Sequence, residues 1–142
     1  MIKILFVCHG NICRSTLAQS FFTHLVNTHG LADQFVIDSC ATSREEIGNP
    51  PHRGTVNKLK EEEITLVPHR AKQITWTDYI NSDYIIGMDS ANIRNMKRIA
   101  GNAVNGEKIY KMLSFADYKK NQCLQETDDV ADPWYTGDFE AT

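Results

Sequence analysis

Val7-Cys8-His9-Gly10-Asn11-Ile12-Cys13-Arg14-Ser15-Thr16 joins the apolar run Ile2-Lys3-Ile4-Leu5-Phe6-Val7 to a segment with Leu17, Ala18, Phe21, Phe22, Leu25 and Val26 at helical spacing. The pattern is strand, loop, helix. A helix start carries unpaired N–H groups and the positive end of the helix dipole, so a loop wrapped around it can enclose a phosphate. Cys8 ends the strand and is expected at the bottom of that cradle, where the same field favours thiolate over thiol and makes the sulfur nucleophilic. Arg14 follows six residues later, far enough for the loop to bend back and set a guanidinium over two phosphate oxygens; a lysine has no such fork. Ser15, at the helix start, can donate to the sulfur. Gly10 is expected to supply backbone angles that a side chain would block, and Asn11 to hold the loop through side-chain hydrogen bonds.

Outward from this loop, Gly30 suits the end of the first helix, and Phe35-Val36-Ile37-Asp38-Ser39-Cys40 reads as a second strand. Ser43 to Arg53 is polar and carries Gly48, Pro50 and Pro51, a surface loop before a helix of about ten residues ending near Glu62. Lys58-Leu59-Lys60-Glu61-Glu62-Glu63 reads as a solvated helix face. Thr75 to Ser82 reads as a short helix with Thr75 as N-cap and Asp78 completing a near capping box. Tyr84 to Met88 makes a third strand, Ser90 is expected to cap a helix carrying Ile93, Met96 and Ala100, and Lys108 to Met112 makes a fourth strand. Strands alternating with helices imply an α/β fold with a parallel sheet, right-handed crossovers and both faces covered. Sites in such sheets lie at the strands' carboxyl ends, and the first strand ends at Cys8.

The 142 residues, 42% of them hydrophobic, suit one packed core and hence a single domain over 1–142. A net charge of −3 without a long basic run argues against nucleic-acid binding. The opening apolar run is too short to span a membrane and lacks the charged start and cleavage pattern of a signal peptide. Four cysteines, Cys8, Cys13, Cys40 and Cys123, in a chain with no secretory segment point to a reducing cytoplasm rather than a disulfide framework. The gap between Cys8 and Cys13 does not match a zinc knuckle, and no metal is expected.

The string C-x-G-N-I-C-R-S resembles the signature of the low-molecular-weight protein tyrosine phosphatases, matching it at Cys8, Gly10, Asn11, Ile12, Cys13, Arg14 and Ser15. It departs at Thr16, where the family commonly has proline, and at Gln19, where it commonly has glutamate. The resemblance runs from Lys3 to Phe139. It implies a three-layer α/β/α fold with a four-stranded parallel sheet in the order 2-1-3-4, a phosphotyrosine-containing protein as substrate, no cofactor, and a monomer or weak dimer. Departure of a phenolate is eased by protonation, and Asp132-Pro133-Trp134-Tyr135 looks like the family's acid loop, making Asp132 the general acid. Asp128 and Asp129 read as a solvated acidic loop.

The same resemblance implies supporting roles. Ser39 and His69 match positions that hold the phosphate loop by hydrogen bonds to Asn11 and Ser15. Met88-Asp89 also looks like the family, with Asp89 open to a structural role. Ile12 matches tyrosine-directed members, whereas related arginine-phosphate phosphatases place threonine there. Trp134 and Tyr135 would form an aromatic wall for a phenyl ring, and Glu45 falls near a position where many members carry a tryptophan on the opposite wall. His9, at a variable loop position, would shape the rim. Cys13 is close enough in sequence to form a reversible disulfide with Cys8, while Cys40 and Cys123 read as structural thiols. The family usually continues with a final helix, whereas this chain stops at Thr142, which implies exposed apolar surface on one side of the sheet or first helix.

Two rivals use similar parts. A thioredoxin-coupled arsenate reductase resembles this fold but relays its disulfide through further cysteines, and none occurs from Val56 to Ala116. A module that merely binds phosphate would be free to lose Cys8 or Asp132, and both are present.

Overall fold

The computed structural model describes residues 1–100, 108–115 and 129–130. Its strands are β1 (Ile2–Cys8), β2 (Phe35–Ala41), β3 (Tyr84–Gly87) and β4 (Ile109–Lys111); its helices are α1 (Arg14–Thr28), α2 (Arg53–Glu61), α3 (Trp76–Asn81) and α4 (Ser90–Ala100). The strands form one parallel sheet in the order β2-β1-β3-β4. Side chains alternate across the central strand as its pleat requires. Leu5 and Val7 pack with Cys40, Ile74, Tyr79, Ile85 and Met96 on one face. Ile4, Phe6 and Cys8 pack on the other, with Ile86, Met88, Ala18, Phe22 and Phe35. Helices on the two faces give the three-layer α/β/α arrangement, and the alternation puts the Cys8 sulfur on the face covered by α1.

The packing of α1 differs from the expected apolar stripe. Phe22 stands edge-on to Phe6 and Phe35, with ring centroids 6.0 and 5.4 Å away, but Phe21 and Leu25 are exposed. The inward positions of the first two turns belong instead to Ser15, Thr16, Gln19 and Ser20, all buried. Those turns serve the loop before the helix rather than the apolar core, which rotates the stripe away from its sequence-based position. Phe21 borders an apolar pocket of about 370 Å³ between α1 and α2, shared with Leu17, Leu59, Ile64 and Met112. The helix ends in a Schellman turn: Gly30 lies at φ 69°, Leu31 N–H bonds the Val26 carbonyl at 2.8 Å and Gly30 N–H bonds that of Asn27 at 3.2 Å.

Thr75 and Asp78 form the expected reciprocal capping box on α3. The cap of α4 is displaced by one residue from its expected place. Asp89, not Ser90, accepts the Asn92 N–H at 2.8 Å, while the Asn92 side chain accepts the Asp89 and Met88 N–H groups at 3.2 and 3.0 Å. An aspartate can thus cap the helix with one oxygen and leave the other for a neighbour. The expected lack of a closing helix concerns chain that lies outside the described residues. Among the described residues no helix is long and apolar enough to cross a membrane.

Gly87 closes β3 directly beneath α4. A Cβ there would lie 2.9 Å from Met96 Cε, 3.0 Å from Ile93 Cδ1 and 3.3 Å from Asn92 Cβ. Gly87→Ala is expected to destabilise the protein by about 1–3 kcal/mol through overpacking, read as a lower urea midpoint at unchanged slope.

Candidate active site

The loop from Cys8 to Arg14 is held from outside by its carbonyls. Cys8 O accepts Thr42 N–H at 3.0 Å, and His9 O accepts Ser43 N–H at 3.1 Å and the Ser43 hydroxyl at 2.9 Å. Ile12 O accepts His52 N–H at 2.7 Å and the buried Thr55 hydroxyl at 3.1 Å; Cys13 O accepts Leu17 N–H at 2.9 Å and the Thr16 hydroxyl at 3.0 Å. In a trans peptide the next N–H lies on the opposite edge of the plane. The N–H groups of His9, Gly10, Cys13 and Arg14 therefore face away from these partners, onto the edge that an anion in the loop would meet.

Asn11, wholly buried, bends the loop at φ 60°. The left-handed residue is therefore Asn11 and not Gly10, the expected one. Asparagine tolerates this region better than most side chains because its short polar group bonds locally. At Gly10 a Cβ would make only ordinary contacts, 3.4 Å from Glu46 Cγ and 3.7 Å from Ile12 Cγ1.

The Asn11 carboxamide uses its full bonding capacity. Nδ2 donates to Ser15 Oγ at 2.8 Å and to Ser39 Oγ at 3.0 Å; Oδ1 accepts His69 Nε2–H at 2.7 Å and Lys72 N–H at 3.2 Å. These bonds fix the protons around them. Ser39 sends its own proton to Gln19 Oε1 at 2.5 Å. Ser15 Oγ, which accepts from Asn11, also meets Cys8 Sγ at 3.0 Å and can donate to an ionised sulfur. The Asn11 backbone N–H donates to the same sulfur at 3.3 Å. Two donors thus converge on Cys8 Sγ, an arrangement that suits an anionic sulfur.

Burial pushes the His69 imidazole below its ordinary value of 6.5; nearby Asp38 opposes the shift and Lys72 adds to it. Burial also works against the charge on Lys72, but its 2.5 Å bond to Asp38 Oδ2 and the field of that carboxylate carry the ammonium pKa upward overall. Cys40 is a free, fully buried thiol raised well above its ordinary value, first by burial and then by the charges of Asp78 and Asp38. Cys8 and Cys13 are likewise free and buried.

Arg14 lies almost entirely inside, its Nη1 donating to Asp89 Oδ2 at 2.7 Å and to the Val130 carbonyl at 3.0 Å. The second oxygen of Asp89 is the one that caps α4. Ile12 and Cys13 pack with Ala71 under the loop. His9 Nε2 and Glu45 Oε2 meet at 3.1 Å on the exposed rim. Asp129, read from sequence as a solvated carboxylate, instead bonds Lys111 and Ser90. Asp132, Trp134, Tyr135, Asp128 and Cys123 lie outside the described residues.

Sequence reasoning missed Gln19, Lys72 and Thr55. Gln19 had a signal, since it stands one helical turn after Ser15 and shares its face. Lys72 acts through its backbone, which no side-chain pattern discloses.

The family model described as low molecular weight phosphotyrosine protein phosphatase matches residues 3–142. Bacillus subtilis low molecular weight protein-tyrosine-phosphatase YfkJ is 41% identical over 140 residues, covering 99% of this chain and 85% of that protein. The Rattus norvegicus low molecular weight phosphotyrosine protein phosphatase is 38% identical over 136 residues, covering 96% and 82%. The crystal structure of YfkJ superposes with a TM-score of 0.89 at 40% identity, covering 99% of this chain and 84% of that one. That of SP-PTP, a low molecular weight protein tyrosine phosphatase from Streptococcus pyogenes, gives 0.81 at 41% identity, covering 99% and 83%.

Asn11→Ala leaves several buried polar groups unpaired, each costing about 1–3 kcal/mol, so its urea-unfolding free energy is expected to fall by at least about 3 kcal/mol. The His69 imidazole is depressed in the folded state, so on acidification the unfolded chain binds that proton first. Its contribution to stability is full above the ordinary value of 6.5 and is lost as pH falls through 6.5 toward the lower folded value. Thermal midpoints measured across this window should rise with pH, and less steeply in His69→Gln.

Proposed function

Because the chain belongs to the low molecular weight phosphotyrosine protein phosphatase family, we propose that it hydrolyses phosphotyrosine on proteins, and aryl phosphates generally, through a phosphocysteine formed on Cys8. The observation that carries this reading is the convergence of Ser15 O–H and Asn11 N–H on a buried sulfur at the floor of the loop. A thiol needs no such pair of donors; a thiolate does.

In the first step Cys8 Sγ attacks phosphorus in line with the tyrosine oxygen. The S–P bond forms as the P–O bond to the ring breaks, and the proton of the Asp132 carboxyl goes to the departing phenol oxygen. In the second, water attacks phosphorus and its proton passes to the Asp132 carboxylate. The S–P bond then breaks, returning the thiolate and releasing inorganic phosphate. Loop N–H groups and the Arg14 guanidinium offset the charge on the equatorial oxygens in both steps. With Nη1 directed at Asp89 and Val130, the guanidinium is anchored beside the loop where phosphate would bind. Ser15 O–H also stabilises the sulfur as it leaves in the second step.

On the substrate side, the family resemblance implies an aromatic wall from Trp134 and Tyr135 for the phenyl ring, and His9 with Glu45 lies on the exposed rim. Buried free thiols at Cys8, Cys13 and Cys40 suit a reducing cytoplasm.

Turnover of phosphotyrosine peptides and aryl phosphates tests the scheme. Cys8→Ser is expected to abolish activity and to prevent trapping of a phosphorylated enzyme. Asp132→Ala should lower kcat by roughly 10²–10⁴-fold for tyrosine-like leaving groups and far less for a nitrophenol. A serine variant as active as wild type would reject covalent catalysis by Cys8.

A further inference from the structure

We infer that Asp129, Lys111 and Ser90 form a positioning clamp that docks the segment bearing the general acid onto the phosphate-binding arginine; this rests on the proposed phosphatase reading. Asp129 Oδ1 accepts Lys111 Nζ at 3.0 Å, Ser90 N–H at 3.1 Å and the Ser90 hydroxyl at 3.4 Å. Lys111 Nζ also donates to Ser90 Oγ at 3.0 Å. One carboxylate oxygen thereby ties together the end of β4, the first turn of α4 and the chain at 129. At Val130 the backbone takes over: its N–H donates to Met88 O at 2.8 Å, and its carbonyl accepts Arg14 Nη1 at 3.0 Å.

The ion pair is partly exposed, with 26% of the Lys111 and 39% of the Asp129 side-chain surface open to solvent, and such pairs contribute little to global stability. Its value is directional. Three donors on one oxygen, one of them a backbone N–H at a helix start, define where the chain at 129 can sit. Burial acts to raise the Asp129 pKa, but the bonds and charge of Lys111 with the two bonds from Ser90 lower it overall, so the carboxylate stays charged at neutral pH.

Asp132 follows Val130 by two residues, a step of at most about 7 Å of chain. Pinning 129 and 130 therefore limits how far the backbone at 132 can lie from Val130, and on the proposed reading the acid must meet a leaving oxygen on the side of phosphorus away from the sulfur. Proton transfer is sensitive to such placement: a displacement of about 1 Å can cost around a hundredfold. The phosphate loop makes no bond to Lys111, Ser90 or Asp129 side chains in the hydrogen bonds described above, so loosening the clamp should impair the acid step and spare phosphate binding.

The test compares kcat for a phosphotyrosine-like phosphate and for a nitrophenyl phosphate, whose leaving group needs little protonation, with competitive inhibition by inorganic phosphate. Asp129→Ala and Lys111→Met are expected to lower kcat roughly 10–100-fold on the first substrate and less than about threefold on the second, with phosphate inhibition changed less than about twofold. Lys111→Arg should restore most of the loss. In an Asp132→Ala background, Asp129→Ala should cost little more, because a residue acting through the acid has nothing left to position. Equal losses on both substrates, or a full additional loss without Asp132, would overturn the inference, and so would unchanged kinetics in correctly folded variants. Should Asp129→Ala fail to fold, Lys111→Met and Asp129→Asn carry the same comparison. A wild-type enzyme inactive on both phosphates sinks the phosphatase reading itself; an active wild type with no leaving-group discrimination in the clamp variants sinks only this inference.

Discussion

The Asn11 carboxamide, with two donors and two acceptor bonds all in use, ties the loop around the candidate nucleophile to Ser15, Ser39, His69 and Lys72. A hydroxyl can turn either way, so Ser15 alone would not be committed to the sulfur. With Asn11 Nδ2 donating to Ser15 Oγ, the Ser15 proton is left to point elsewhere, and a thiolate at Cys8 Sγ, 3.0 Å away and able only to accept, would take it. The same amide sends the Ser39 proton to Gln19 and requires a hydrogen on His69 Nε2. An aspartate would offer no N–H at this place, and the order of donors would reverse.

This arrangement is built at the cost of a polar interior, and the fold is organised to support it. The buried amide and hydroxyl groups of Asn11, Ser15, Ser39 and Gln19 are tolerated because each finds a partner. The pleat of β1 brings Cys8 to the face covered by α1, and the first two turns of α1 give up their apolar positions to Ser15, Gln19 and Ser20. The apolar seal falls to Phe6, Phe22 and Phe35 farther from the loop. Positive φ at Asn11 is the backbone requirement of the tight bend.

Much of this was legible in the residues from 2 to 42. An apolar strand run, a loop with Cys8 and Arg14 six apart and a following helix specify the βα unit, and alternating strands and helices specify a parallel sheet. The box at Thr75 and Asp78 was readable because both partners lie within one turn. The misreadings have physical causes. Placing the left-handed angle at Gly10 followed the general freedom of glycine, whereas the local amide bonds of Asn11 stabilise that angle instead. Periodicity groups Phe21 and Leu25 with the apolar stripe of the first helix, but it weighs apolarity and cannot know that Ser15, Thr16, Gln19 and Ser20 take the inner face. The cap was assigned to Ser90 because serine is a good cap, while Asp89 supplies one oxygen to the helix and one to Arg14. Asp129 read as solvent-facing because its partners, Ser90 and Lys111, are 39 and 18 residues away in sequence.

Arg14 joins the two halves of the chain at this site. The residues that direct the sulfur's donors all lie between 8 and 72, and the candidate acid lies at 132, so a shared contact has to relate them. The Nη1 group bonds Asp89, the cap of α4, and the Val130 carbonyl, two residues before the acid. A guanidinium suits this task because it is planar and offers donors on more than one edge: one edge can face the scaffold while another faces an anion. A lysine ammonium could balance the same charge but could not fix the scaffold and the phosphate in a constant relative orientation. On the proposed reading, arginine at position 14 would both bind phosphate and hold the Val130 carbonyl beside the loop.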